Sequence, residues 1–407
     1  MTKGRWFPVM LLISIFQIFT FSQVIFSEEF VPNKKFLFIF CAFFLIEWLW
    51  SIISTFVLKQ ASLALEYVAF FLTGIDLVIV ASVSPEKFTT QAIAVLIGFV
   101  SYLILLFIIA NVSRAEKFRI PMAAAAIGLL LFTLIFAKNI NGAYNWLTFG
   151  SISIQSSEFV KVAFIFVGAA TLERLQSTKS LTAYAIFSVI CIGMLFLMRD
   201  LGTALIFFFT FVVLAFMRSG DIRTILFLIM GALMLVALIF LIRSEYVMNR
   251  FSTYRHIWDD PNGRGYQQTR VLTYATSGGL LGLGIGNGHL RDVFAATEDL
   301  VFGVVCEEFG MIIAFLIALS YIFIFIHSVR CAKGSRSAFY SIASCAAGGL
   351  FLFQAALNIF GVTDFLPLTG VTLPFVSRGG SSTISCWALL AYIKAADNRT
   401  WAGGSDE

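Results

Sequence analysis

Three carboxylates close to residue 300 are the most informative chemical feature of the sequence. Asp299 precedes a long apolar stretch, and Glu307 and Glu308 lie inside it. Charges inside hydrocarbon are costly, so such residues usually face a cavity or a partner and mark function. A carboxylate at a membrane-surface cleft can take a proton from a sugar hydroxyl, which makes Asp299 a candidate general base. The alternative is a charge that complements the helix dipole, together with Thr297 and Glu298.

A second polar pair, Glu158 and Lys161, lies at the start of another apolar stretch. A spacing of three residues places both side chains on one helical face, where they would form the polar floor of a cavity between helices. An ion pair at a helix end is the alternative. Further along, Asp200 lies between two apolar stretches. It either caps the second helix in a tight turn or has a functional role. Gly202 permits close packing at this turn.

A stretch of more than fifty residues, from about 243 to 299, contains no long apolar run, which is typical of a functional loop. Arginine forks match phosphate oxygens, and the glycine-rich run at 277–288 would let backbone N–H groups approach a phosphate. The loop therefore suits a diphosphate-linked lipid, with attraction to anionic lipid headgroups as the alternative. The polar residues of this loop include Arg243, Arg250, Arg255, Arg264, Gln268, Arg270 and Arg291.

The elements that position these residues are predicted to be membrane helices. The 407 residues are 59% hydrophobic and 13% charged, against about 45–50% apolar and about 25% charged in soluble domains. Runs of about 20 apolar residues recur along the chain and predict an all-α, polytopic transmembrane bundle of about twelve spans. The predicted spans are 7–27, 36–57, 63–83, 91–110, 121–137, 158–173, 181–197, 201–217, 222–242, 300–326, 338–360 and 380–396.

Basic residues in three short loops predict the orientation of the chain in the cytoplasmic membrane. These loops fall on one side if the N-terminus is cytoplasmic, and an even number of spans returns the C-terminus to the same side. The long loop between spans 9 and 10 is then extracytoplasmic. The first apolar segment lacks a small-residue cleavage site, so we expect it to be retained as an anchor. The net charge of +5 fits this topology and requires no nucleic-acid partner.

The cysteines predict neither a disulfide framework nor a metal cluster. Five of the six lie inside apolar runs, and Cys331 lies in a short basic loop. The sequence contains no C-x-x-C motif, and its three histidines are isolated from one another. We therefore expect no zinc-type cluster.

Four segments resemble, in order, the SEDS family of shape, elongation, division and sporulation proteins, whose members include RodA and FtsW. N-G-A-Y-N-W at 141–146 with Q-S-S-E-F-V-K at 155–161 is similar to G-A-x-R-W with Q-P-S-E-x-x-K. D-L-G-T-A at 200–204 matches the same letters in the family. T-E-D-L-V-F-G-V-V-C-E-E-F-G at 297–310 resembles H-T-D-F-I-F-A-V-x-x-E-E-L-G, and P-F-V-S-R-G-G-S-S at 374–382 resembles P-F-V-S-Y-G-G-S-S. The sequence departs from the family pattern at four positions. It has Asn145 where the family has Arg, Ser157 where it has Pro, Thr297 where it has His and Arg378 where it has Tyr.

The resemblance implies an inverting peptidoglycan glycosyltransferase that polymerises lipid II at the outer leaf of the membrane, for elongation, division or sporulation. It implies that Asp299 is the essential loop aspartate and that Glu158 and Lys161 form the polar pair of a central cavity. We expect a divalent cation, Mg²⁺ or Mn²⁺, and no organic cofactor; the partners would be lipid II, membrane lipids and a class B penicillin-binding protein that acts as transpeptidase. The further candidates for substrate binding are Trp146, Gln155, Arg243, Arg250, Gln268 and Ser381.

The same resemblance divides the chain into two parts. The matching segments cover about 120–396, and the family usually has ten spans. We predict N-terminal spans in 1–115, about two of them additional to the family, and a SEDS-like core in 116–407 that carries the loop 243–299. Two other functions remain open, namely a flippase for a lipid-linked precursor and a non-catalytic scaffold of a penicillin-binding protein.

Overall fold

The computed structural model describes residues 6–26, 33–58, 62–140, 143–149, 152–172, 178–221, 223, 226, 230 and 254–398. Apolar helices dominate this part of the chain, as the hydropathy pattern predicts. The α-helices, all apolar except α9, are α1 Trp6–Ile25, α2 Lys34–Ile52, α3 Ala64–Val83, α4 Phe88–Ile109, α5 Val112–Phe136, α6 Ser156–Leu172, α7 Thr178–Leu197, α8 Leu201–Ser219, α9 Tyr266–Ser277, α10 Val301–Val304, α11 Gly310–Lys333, α12 Ala338–Val362 and α13 Gly380–Ala396.

The prediction of a polytopic helical membrane protein is confirmed. Among the described residues, eight helices are long and apolar enough to cross a membrane, counting α10 and α11 together as Val301–Lys333. Thr182–Leu197 in α7 is a shorter apolar helix. Eleven of the twelve predicted spans coincide with helices, and nearly all of the ninth, 222–242, lies outside the described residues.

The predicted outer segment between spans 5 and 6 is not a plain loop. It forms a three-stranded antiparallel sheet of β1 Lys138–Ile140, β2 Ala143–Phe149 and β3 Ile152–Gln155, in the order β1-β2-β3. In β2 the side chain of Leu147 is buried and that of Thr148 is exposed, as the alternation of a half-buried strand requires. The all-α expectation therefore holds for the membrane part and not for this small sheet.

The core of the bundle surrounds α3, α6, α12 and α13, which bury most of their side chains. Helices α4 and α13 pack closely because Gly98 has no side chain. A Cβ atom built there would lie 2.9 Å from Cδ1 of Trp387 and 3.2 Å from the carbonyl oxygen of Thr383. Trp387 in turn contacts the rings of Phe70 and Phe99, with centroid distances of 5.1 and 5.5 Å. This contact fixes α13 between α3 and α4.

The predicted span at 300–326 is longer than expected and is interrupted. After α10 the backbone forms a π-helical turn over Val305–Phe309, and Gly310 then adopts φ 85° and ψ 170°. This positive φ is readily accessible only to glycine. The glycine-rich run of the long loop contacts the break, where Met311 N–H donates to Gly279 O at 3.0 Å and Leu283 N–H donates to Glu307 O at 2.9 Å. Irregular backbone at membrane depth is tolerated only when other protein groups satisfy it in this way.

Candidate active site

Asp299 lies half-buried at the end of the long loop, immediately before α10. Leu300 and not Asp299 occupies the N-cap position, and no side chain caps this helix. The amide of Asn358 on α12 donates to Asp299 O at 2.8 Å and to Val371 O at 2.7 Å. A Cβ atom at Gly370, where φ is +70°, would lie 3.4 Å from Oδ2 of Asp299. Its carboxylate therefore sits beside the 363–379 segment in a position that helix capping does not explain.

Two departures from the family pattern contact each other beside this carboxylate. Arg378 Nε donates to Thr297 Oγ1 at 3.1 Å, and Arg378 N–H donates to Thr297 O at 2.7 Å. The same guanidinium forms an ion pair with Glu298. Ser377 Oγ donates to Glu298 O at 2.5 Å. These bonds hold the residues that precede Asp299 against the segment before α13.

Glu158 and Lys161 form the ion pair that their spacing predicts, with 2.8 Å between Nζ and Oε2. Lys161 Nζ also donates to Gln354 Oε1 at 2.9 Å, and Ser385 Oγ donates to Glu158 Oε2 at 2.6 Å. The side chain of Lys161 is only 1% exposed and that of Glu158 only 5% exposed. They form a buried polar core between α6, α12 and α13, and the expectation that they line a cavity stays a prediction.

A chain of side chains and backbone groups connects this polar core to Asp299. Gln354 Nε2 donates to Thr372 O at 2.9 Å and to Thr372 Oγ1 at 3.1 Å, and that hydroxyl lies 2.8 Å from Ser382 Oγ. One turn further along α12, Asn358 binds the backbone of Val371 and of Asp299. The segment 370–372 therefore joins the ion pair on α6 to the carboxylate before α10.

Asp200 caps α8, which was one of the two interpretations of this residue. It also accepts hydrogen bonds from two further side chains. Its Oδ1 accepts from Thr203 N–H at 3.1 Å, which caps α8. Its Oδ2 accepts from Asn145 Nδ2 at 2.9 Å and from Gln155 Nε2 at 3.2 Å. Close packing at Gly202 is also confirmed, because a Cβ atom there would lie 2.6 Å from Cγ1 of Val371. Asp200 thus fixes the β1-β2-β3 sheet to the start of α8.

The remaining substrate-binding candidates are distributed around these contacts. Trp146 is half-buried in β2, in register with Gln155, whose N–H donates to Ser381 Oγ at 3.0 Å. Gln268 is buried and donates to Gly361 O at 3.0 Å, which joins α9 to the end of α12. Arg243 and Arg250 lie outside the described residues.

Glu307 and Glu308 are buried as expected, and they contact the glycine-rich run. The carboxylate of Glu307 accepts from His289 N–H at 2.7 Å and from Leu290 N–H at 3.0 Å. Leu283 and Gly284 donate their N–H groups to the backbone oxygens of Glu307 and Glu308. The N–H groups of Leu283 and Gly284 therefore already donate to acceptors within the protein. The interpretation that the run binds a phosphate is wrong for these two groups. The run stabilises the broken helix.

Sequence reasoning missed Gln354 and Asn358, the two amides that connect the polar core to Asp299. Both lie on α12 inside an otherwise apolar span, four residues apart and therefore on one face. Polar side chains at such spacing in a membrane helix are a usable signal of an internal site.

The family described as "Cell cycle protein" (FtsW/RodA/SpoVE) matches residues 55–400, so α1 and α2 precede the match. A relative from Borreliella burgdorferi, named "Probable peptidoglycan glycosyltransferase FtsW", is 32% identical over 314 residues, which is 72% of this chain and 83% of the relative. The "Stage V sporulation protein E" of Bacillus subtilis is 32% identical over 252 residues, 60% of this chain and 68% of the relative.

Solved structures share the fold. A chain from a peptidoglycan synthase complex that coordinates polymerization and crosslinking superposes with a TM-score of 0.68 at 24% identity, covering 83% of this chain and 99% of that one. The rod shape determining protein RodA of Thermus thermophilus superposes with a TM-score of 0.62 at 23% identity, covering 83% and 96%. With the match over residues 55–400, these likenesses identify the chain as a member of the FtsW/RodA/SpoVE family, the SEDS family of membrane proteins.

Proposed function

We propose that this protein is a peptidoglycan glycosyltransferase that polymerises lipid II, with Asp299 as the general base. The observation that carries the proposal is the position of Asp299, half-buried at the loop end of a membrane helix and held there by Asn358. The sequence identity of 32% with relatives named as probable peptidoglycan glycosyltransferases supports the reaction class.

In the proposed reaction, the carboxylate of Asp299 takes the proton of the acceptor sugar's 4-hydroxyl. The oxygen attacks the anomeric carbon of the donor, and the bond from that carbon to the diphosphate oxygen breaks. The new glycosidic bond forms with inversion, and the undecaprenyl diphosphate leaves with the bonding electrons. Developing charge on the diphosphate requires nearby donors or a cation, a role that the arginines of the long loop would fill.

A divalent cation such as Mg²⁺ or Mn²⁺ fits this reaction only together with the substrate. Mg²⁺ sites commonly use one or two carboxylates plus substrate phosphates. Among the described residues, Asp299 belongs to no group of three metal-ligating side chains, and Glu298 is paired with Arg378. The diphosphate would therefore supply most of the ligands. When bound, the cation would neutralise charge on the leaving group.

We propose a class B penicillin-binding protein as partner and both termini in the cytoplasm. The partner is supported by the complex of polymerization and crosslinking that contains a chain of the same fold. The orientation is supported by Arg218 in the last turn of α8 and by Arg330 and Lys333 in the last turn of α11, because short loops rich in basic residues favour the cytoplasmic side.

The test is a polymerisation assay with the purified chain and lipid II, with and without the partner. We expect glycan strands that depend on Asp299. Translocation of lipid II across liposomes without strand formation would instead support a flippase. Strands that form only with the partner, and equally well with Asp299→Asn, would support a scaffold.

A further inference from the structure

Three metal-ligating side chains meet at the end of the bundle that lies away from Asp299. His327 and Cys331 lie on the last two turns of α11, and Asp397 directly follows α13. One ligand atom from each of the three residues lies within 4.8 Å of the ligand atoms of the other two. Helix α13 begins two residues after Arg378, which contacts Thr297 and Glu298, and ends beside Asp397, so this cluster is separate from the proposed active site.

The fold brings this cluster together from distant parts of the sequence. A spacing of four residues places His327 and Cys331 on one helical face. The packing of α13 beside α11 then brings in Asp397, which lies 66 positions after Cys331 in the chain. This cluster is not visible in the sequence, because the three histidines are isolated from one another and Cys331 is predicted to lie in a loop. In the structure Cys331 is helical and buried, and it forms no disulfide bond.

We propose that His327, Cys331 and Asp397 bind one Zn²⁺ ion. Nitrogen, sulfur and oxygen donors of this kind are the ligands of zinc sites, at about 2.0–2.3 Å from the metal. Bonds of that length place tetrahedral ligand atoms about 3.3–3.8 Å apart, so the side chains need to close only slightly around the ion. Binding releases the thiol proton of Cys331. The thiolate and carboxylate then carry two negative charges, which balance the divalent cation.

A cavity of about 1000 Å³ gives access to this cluster, and all three residues line it. Three protein ligands and an open side leave a fourth coordination position for water or another small ligand. The other walls include Val9 on α1 and Tyr67 on α3. Because α1 precedes the family match at 55–400, the cavity lies at the seam between the preceding helices and the family core. Zinc here would clamp the chain after α13 to the end of α11.

The experiment uses the full-length protein in detergent, stripped with a chelator and reloaded with Zn²⁺ or Co²⁺ alone. We expect one metal ion per chain, a Co²⁺ spectrum with thiolate charge-transfer absorption, and a rise in melting temperature on loading. Substituting His327→Ala, Cys331→Ser or Asp397→Asn should lower the affinity by at least about tenfold. The thiolate absorption should vanish only in Cys331→Ser.

Matched controls are Cys41→Ser, which removes an exposed thiol on α2, and His256→Ala, which removes an exposed histidine of the long loop. Both should bind metal like the wild type. Wild-type protein that binds no stoichiometric metal, or a triple ligand variant that binds as tightly as the wild type, would overturn the proposal. Metal content and the Co²⁺ spectrum do not depend on polymerisation, so this result is independent of the outcome at Asp299.

Discussion

Asn358 donates one hydrogen bond of 2.8 Å to the backbone oxygen of Asp299 and another of 2.7 Å to that of Val371. A single buried amide therefore fixes the loop residue proposed as the base against the segment that precedes α13. This contact makes Asn358 a positioning residue, since its side chain acts on the backbone of Asp299 and not on substrate.

Asn358→Ala should reduce the turnover of lipid II by roughly 10- to 100-fold, because a small displacement of a catalytic group is enough for such a loss. Two buried hydrogen bonds are lost as well, so the free energy of unfolding should fall by about 2 kcal/mol. The measurements are strand synthesis and thermal unfolding in detergent. The control is Asn287→Ala, an exposed loop amide bonded to Leu283 O. Wild-type turnover in Asn358→Ala would refute the positioning role.

The buried pair of Glu158 and Lys161 should behave as one energetic unit. Lys161→Met leaves the Glu158 carboxylate with the hydrogen bond from Ser385 but without its buried cation, and breaking a buried ion pair costs roughly 3–5 kcal/mol. The double variant Glu158→Gln with Lys161→Met leaves no unpaired charge, so its loss of stability should be smaller than the sum of the single losses. Thermal unfolding of the four proteins gives the coupling energy.

A second combination serves as the control for this cycle. Glu66 forms a separate ion pair with Lys394, at 2.7 Å. Lys161→Met combined with Glu66→Gln should therefore show additive losses. Additive losses for Glu158→Gln with Lys161→Met would mean that the two residues do not form the pair seen in the structure.

Thr297 and Arg378, two departures from the family pattern, contact each other. We therefore predict that the effect on activity of substituting one of them depends on which residue occupies the other position. Arg378→Tyr removes the bond to Thr297 Oγ1 and the ion pair with Glu298. We expect a loss of activity in this single variant. The double variant Thr297→His with Arg378→Tyr restores both residues of the family pattern and should recover part of the activity. Glycan synthesis by the two variants is the measurement, and a double variant less active than Arg378→Tyr would argue against the dependence.

The proposed topology places the long loop outside the cell. Asn262 and Asn287 are both exposed in this loop. Cysteines introduced at these positions should react with a membrane-impermeant maleimide in spheroplasts, in a Cys41→Ser background. Lys333→Cys at the exposed end of α11 should react only after permeabilisation. The reverse pattern would overturn the orientation derived from the basic loops.

The sequence was sufficient for features that depend on local pattern. Apolar runs gave the positions of the helices, and a spacing of three residues gave the contact of Glu158 with Lys161. The capping role of Asp200, one of the two interpretations left open, is confirmed because capping depends on the residues that follow immediately. In both contacts, Glu158 with Lys161 and Asp200 with Thr203, the two residues lie within one helical turn of each other along the chain.

Features that depend on contacts between distant segments were not predicted. Gln354 reaches Lys161 across 193 positions, and spacing along the chain gives no information on which helices pack together. The break at Gly310 was hidden because the apolar run continues through it, while the glycine-rich run that stabilises it resembled a phosphate-binding loop. Composition alone does not distinguish backbone groups that bind a ligand from groups that bind another part of the same chain.

The most direct test of the central claim is polymerisation of lipid II by purified Asp299→Asn. The amide is nearly isosteric, and the backbone oxygen bound by Asn358 is unchanged, so the variant should fold and unfold thermally like the wild type. It should form no glycan strands, because an amide cannot take the proton of the acceptor hydroxyl. Asp292→Asn, which changes an exposed carboxylate of the same loop, should retain activity. Strands of wild-type amount and length from folded Asp299→Asn would contradict the assignment of Asp299 as the general base.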